Sequence, residues 1–321
     1  MHCSQGYGVA VLSLTLAAAG CAAQAQVPSP LPTTQTRRVQ LAVTADSLFW
    51  RTFRAGAYDS IPQSMFLLKA AYLQNPTDPQ TAVHIAFLHA WKVSERARLA
   101  QVPPTIIDET TLARRYFAQA QKHASAYDAR SHGFAAAFQM SEANIHRDAA
   151  LWADGLREAR KSIAAWPEFN WFTVGYTLSG HADTSALFAE AIDMQWKTLD
   201  ACARAPIDRV NPISAASALA TESDPRLKRA CSNTWIAPYN VQGFFLNMGD
   251  MIAKRGDPVL ARRVYALAKE AKGYATWPYA AMLEERIRDA ETNVAGFRSG
   301  RAKMMVASKA ACTACHQAVM R

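Results

Sequence analysis

The chain has 321 residues, half of them hydrophobic, enough for a sizeable core and against general disorder. Its 35 Lys and Arg outnumber 26 Asp and Glu, a formal charge of +9, yet no dense basic tract occurs. That pattern argues against nucleic acid as a partner and suits a solvated basic surface, one that can attract an acidic protein or an anionic surface.

Residues 1–25 contain no Asp, Glu, Lys or Arg, and hold an apolar run from Val9 to Ala19 followed by small residues. The run is too short to span a bilayer and reads as a signal-peptide core, although Met1-His2-Cys3-Ser4 supplies no positive n-region. Two cleavage schemes stay open. Ala18-Ala19-Gly20-Cys21 resembles a bacterial lipobox and makes Cys21 a candidate lipidated N-terminus, whereas Ala23-Gln24-Ala25 fits ordinary signal peptidase. Both place the mature protein in the periplasm of a Gram-negative cell, the first as an outer-membrane lipoprotein touching the membrane only through its lipid. Residues 26–38, with Val27-Pro28-Ser29-Pro30-Leu31-Pro32-Thr33-Thr34, read as an extended linker. No later segment is apolar enough to be transmembrane.

From residue 39 the chain reads as all-α. Alanine is abundant and apolar residues recur at three- and four-residue spacing. Asp78-Pro79, Asp224-Pro225 and Asp257-Pro258 mark helix starts, the aspartate capping free amides and the proline costing no hydrogen bond. Asn75-Pro76, Trp166-Pro167 and Lys272-Gly273 mark stops. After Val259, the set Leu260, Val264, Leu267, Ala268 and Ala271 falls on one helical face. Short loops between such helices predict antiparallel pairs.

Phe245, Met248, Gly249, Ile252, Ala261, Tyr265 and Ala268 fall on the spacing of the tetratricopeptide repeat, and this stretch resembles that family. Trp171, Val174, Gly175 and Leu178 repeat its first half; Leu68, Ala71 and Pro76 resemble its second, with Ala82, Ile85 and Ala86 opening another helix. The matches keep no steady period of thirty-four, so the expected fold over 39–278 is an irregular antiparallel helix-hairpin solenoid. The resemblance implies a concave protein- or peptide-binding surface and brings no catalytic residue.

The last segment, 279–321, contains Cys312-Thr313-Ala314-Cys315-His316. C-x-x-C-H is the attachment site of a c-type haem: two thiols add to the porphyrin vinyl groups and the histidine ligates the iron. Cys312 and Cys315 are thus expected thioether anchors, His316 the proximal ligand, and one covalent haem c the cofactor. A zinc or thiol redox site is the alternative, but no second Cys/His pair has zinc-finger spacing. The motif's placement resembles the class II cytochromes c, helical bundles with a C-terminal C-x-x-C-H-x-x-Y-R, though here Arg321 falls one position late and tyrosine is lacking.

Only Gln317 to Arg321 follow the motif, too little chain to reach the opposite haem face. A sixth ligand must come from upstream or the position stays open. Candidates are His84, His89, His123, His132, His146, His181, Met140, Met248, Met282, Met304 and Met305, all of them types that also fill cores. Met304 and Met305 are expected on the same helix as His316. Trp277-Pro278-Tyr279 opens the helix expected beside the motif.

Cys3 and Cys21 are spent in the leader or on lipid, and Cys312 and Cys315 on haem. Cys202 and Cys231 remain, a natural disulfide in an oxidising compartment or else two buried thiols. Two function classes follow: an exported mono-haem cytochrome that docks a redox partner, or a tetratricopeptide-like adaptor without redox activity. A third reading gives the iron an open position for a gas or peroxide. No hydrolase or phosphate-loop motif appears.

Overall fold

The computed structural model describes residues 38–124, 128–215, 231 and 236–319. The expected signal peptide, Cys21, nearly all of the linker and the Asp224-Pro225 helix start lie outside them. The described residues are all-helical, with no strand among them.

Among the described residues, thirteen α-helices follow one another. They are α1 (Gln40–Arg54), α2 (Ile61–Gln74), α3 (Pro79–Ser94), α4 (Ile106–His123), α5 (Ala129–His146), α6 (Ala149–Ala165), α7 (Pro167–Leu178), α8 (Ala186–Ala203), α9 (Asn240–Arg255), α10 (Pro258–Glu270), α11 (Ala280–Arg288), α12 (Ala290–Arg298) and α13 (Thr313–His316). Neighbours pack as hairpins: α1 with α2, α3 with α4, α5 with α6, α7 with α8 and α9 with α10. The architecture is a helix-hairpin solenoid. Among the described residues, no helix is long and apolar enough to cross a membrane.

The sequence signals act locally as expected. Asp78 and Asp257 accept from Gln80 N and Leu260 N, satisfying amides that have no partner inside their helices. Val264, Leu267 and Ala268 are buried, but Ala271 falls past the last turn of α10 in extended backbone. Within the α9–α10 hairpin, a Cβ on Gly249 would lie 2.2 Å from the Tyr265 ring, so only glycine lets the two helices approach this closely. The Tyr265 hydroxyl then donates to buried Asp250 at 2.6 Å, and the other Asp250 oxygen accepts from Met305 N at 2.8 Å.

That last bond begins a departure from expectation. Met304 and Met305 do not share a helix with His316. Residues 299–312 run irregularly, with one 3-10 turn at Met305–Ala307, and the motif helix α13 has only four residues. The reason is packing. Met304 and Met305 are buried in the main core against α9, and Asp250 claims the Met305 amide that a continuing helix would use.

Two cores flank the motif. One spans α1 to α3 and includes Phe49, Phe53, Leu68 and Trp91; the larger runs from α5 to the C-terminal segment. Cys312 packs against the first, while Ala314 and Cys315 belong to the second. The motif therefore joins the first hairpins to α9 and closes the interior of the curl.

Candidate functional site

Inside that curl lies a cavity of about 1010 Å³, walled by α1, α3, the end of α4, α5, α7, α8, the start of α9 and the motif. Eight phenylalanines line it, among them Phe53, Phe134, Phe172 and Phe244. Its size stands at the upper end of the range for cofactor pockets, and its walls are mostly apolar. Cys312, Cys315 and His316 all face it.

Each element of the motif is held from a different direction. Buried Glu95, just past α3, accepts from the backbone amides of Cys312 and Thr313, both at 2.8 Å. Arg98 donates to the Thr313 hydroxyl at 3.1 Å, and Tyr279 meets the same hydroxyl at 2.7 Å. The indole of Trp277 donates to the Ala314 carbonyl at 2.7 Å, and Tyr239 N donates to the Cys315 carbonyl at 2.9 Å. The Trp277-Pro278-Tyr279 group does sit beside the motif. Gly243 on α9 completes the seat, since a Cβ there would fall 2.3 Å from the Cys315 sulfur.

His316 is oriented by two contacts. Its ring stacks on Phe53 with centroids 4.8 Å apart, and its Nδ1 lies 3.0 Å from the Ile236 carbonyl. A carbonyl only accepts, so Nδ1 carries the proton and Nε2 keeps a free lone pair. Burial pushes the His316 pKa down to about 4, aided by the positive charges of Arg54 and Arg130, so the ring is neutral at ordinary pH. A neutral imidazole with Nδ1 fixed to a carbonyl is the form in which histidine ligates a metal.

The thiols have a matching character. Burial drives the Cys312 pKa well above that of a free thiol, with Glu95 adding to the effect, and drives Cys315 up to about 12. Redox and zinc-binding cysteines need the thiolate, favoured by nearby positive charge. Here both stay protonated in an apolar wall. Among the described residues, the metal-ligating atoms that cluster within 4.8 Å belong to Glu168, Cys202 and Cys231, not to the motif. Cys202 and Cys231 form a disulfide, with Cα atoms 5.8 Å apart, in the cavity wall.

Against known proteins, the chain matches no family model, no curated protein and no solved structure. The site has to be read from its own chemistry.

Of the sixth-ligand candidates, His84 lines the cavity. Met140, Met248, Met304 and Met305 are core residues. His89 is buried and bound to Glu109 at 2.5 Å, His132 borders a separate small cleft, and His146 is exposed. His123, His181 and Met282 do not line the cavity.

Sequence reasoning missed the groups that hold the motif: Glu95, Arg98, Gly243 and the Ile236 carbonyl. It also missed Arg54 and Arg130, each of which buries its Nε without a hydrogen-bond partner. Arg130 borders the cavity, and both stand close enough to His316 to bias its charge.

Proposed function

We propose that this chain is an exported mono-haem c-type cytochrome whose helical body docks a protein redox partner. The observation that carries the reading is the convergence, on one wall of an apolar cavity of about 1010 Å³, of two protonated thiols and a neutral histidine with a free Nε2. When bound, haem supplies a one-electron iron couple tuned by its axial ligands and its burial.

The roles of the residues follow from their chemistry. Cys312 and Cys315 provide the thioether anchors, and His316 Nε2 the proximal ligand. The Ile236 carbonyl fixes the ligating tautomer and Phe53 the ring plane. Buried guanidinium nitrogens without partners cost free energy unless an acceptor arrives. Arg130, which borders the cavity, is suited to receive a haem carboxylate. The aromatic walls would exclude water from a bound macrocycle.

Haem-dependent peroxidase staining of a denaturing gel tests this in a strain competent for cytochrome c maturation. The stain should follow the protein and disappear in Cys312→Ala/Cys315→Ala. An unstained wild-type band would leave the helical body as an adaptor without redox activity.

A further inference from the structure

We propose that His84 is the second axial ligand, facing His316 across the haem. This rests on the haem reading above and goes further by naming the coordination state.

Among the histidine and methionine candidates, His84 shares the cavity with the motif. Its Nδ1 lies 2.7 Å from Asp46 Oδ1. Asp46 is itself bound by Arg38 and, at 2.9 Å, by Gln80 Nε2. A carboxylate held by Arg38 accepts, so His84 Nδ1 carries a proton, and Nε2 is the nitrogen left to bind a metal when the ring is neutral. Nε2 has no hydrogen-bond partner among the described groups. A carboxylate behind a ligating imidazole fixes the tautomer and strengthens the ligand.

The two histidines, from α3 and α13, stack on neighbouring turns of the same helix, α1. His84 stacks on Phe49 at 4.2 Å and 9°, and His316 stacks on Phe53 at 4.8 Å and 28°. Phe49 and Phe53 are four residues apart on α1, a rise of about 6 Å. Two metal–imidazole bonds of about 2 Å each separate their nitrogens by about 4 Å. One helical turn is thus the right scale for two imidazoles on opposite faces of a flat macrocycle. His84 is also 4 % exposed, so an imidazole with its own carboxylate has been set into an apolar wall.

A filled sixth position favours electron transfer and opposes binding of carbon monoxide or peroxide. The test uses the full haem-loaded chain, with absorption and electron paramagnetic resonance spectra. Wild type should be six-coordinate and low-spin, with no rapid carbon monoxide adduct when reduced. His84→Ala should become high-spin and bind carbon monoxide, and added imidazole should restore the low-spin spectrum. His84→Met should stay six-coordinate and gain the long-wavelength sulfur-to-iron band, which reads the position even if the alanine variant matures poorly. Asp46→Asn should keep the low-spin spectrum and raise the midpoint potential, since a weaker imidazole donor stabilises ferric iron less. A high-spin wild type, or a His84→Ala protein that stays low-spin without added ligand, would overturn the assignment. Absence of covalent haem from the wild-type gel band is a separate result and removes the haem reading itself.

Discussion

Glu95 accepts from the backbone amide of Thr313 at 2.8 Å, across 218 positions of sequence, and the Thr313 hydroxyl donates to the same oxygen at 3.1 Å. The other carboxylate oxygen takes the Trp91 indole at 2.7 Å and Arg98 Nε at 2.5 Å. A helix of four residues has no stability of its own, because nucleation costs more than one turn returns. The shape of the motif is therefore imposed from the end of α3, where Glu95 caps the amides that α13 leaves open.

Glu95→Gln should lower stability by about 2–3 kcal/mol. It removes charge-assisted bonds to Arg98 and to two buried amides, while keeping one acceptor oxygen. Thermal unfolding of the unloaded protein reads the loss, and the haem-to-protein ratio after maturation should fall with it. An unchanged ratio together with an unchanged Tm would show that the motif holds its shape without Glu95.

How much of this could be read from sequence depends on distance along the chain. The hairpins were legible because their signals are local: Asp-Pro caps, helical spacing and the Gly249–Tyr265 fit each act within one hairpin. The motif was legible because its five residues are contiguous. Glu95 was not, since Ser94-Glu95-Arg96 reads like any solvated helix end, and its burial depends on a segment more than two hundred positions away. The expected helix through Met304 failed for a similar reason. Alanines and methionines permit helix there, but buried Asp250 takes the Met305 amide and core packing takes both side chains. His84 stood among eleven candidates until the cavity singled it out.

Gly243→Ala should impair the site by steric means alone. The added Cβ would fall 2.3 Å from Cys315 Sγ and 3.3 Å from Cys315 N, and overpacking of this kind costs about 1–3 kcal/mol. Gly180→Ala is the control, since its Cβ would meet nothing nearer than 3.8 Å. Haem incorporation should drop in the first variant and hold in the second. Equal incorporation in both would mean that α9 gives way easily beneath Cys315.

Replacing Cys202 and Cys231 together by serine should destabilise the protein without removing covalent haem. The bridge closes a separation of 29 residues, for which loop-closure entropy gives about 3–4 kcal/mol. The proposed anchoring thiols, Cys312 and Cys315, take no part in that bridge. Denaturant unfolding should show the lower midpoint while the haem stain persists. Loss of the stain from a variant with wild-type stability would instead give the disulfide a part in haem attachment.

The α4–α5 contact should carry part of the acid sensitivity. Arg114 binds the Glu142 carboxylate through Nε and Nη2, and this hydrogen bonding holds the Glu142 pKa below its usual value. Thr111 adds a further bond at 3.1 Å, while burial works in the opposite direction. A depressed carboxylate pKa contributes stability that is fully present above the unfolded-state value and is lost as pH falls through the folded one. Glu142→Gln should therefore be less stable than wild type at neutral pH, by about 0.5–1 kcal/mol for a partly screened pair. The two proteins should converge below the ordinary glutamate range, where wild-type Glu142 is protonated as well. Denaturant midpoints measured across pH 3 to 7, an interval reaching from about 1.3 units below to about 2.7 units above the ordinary glutamate pKa, check this. A stability difference that stays constant down the acid limb would mean that Arg114 holds the glutamine as firmly as the carboxylate.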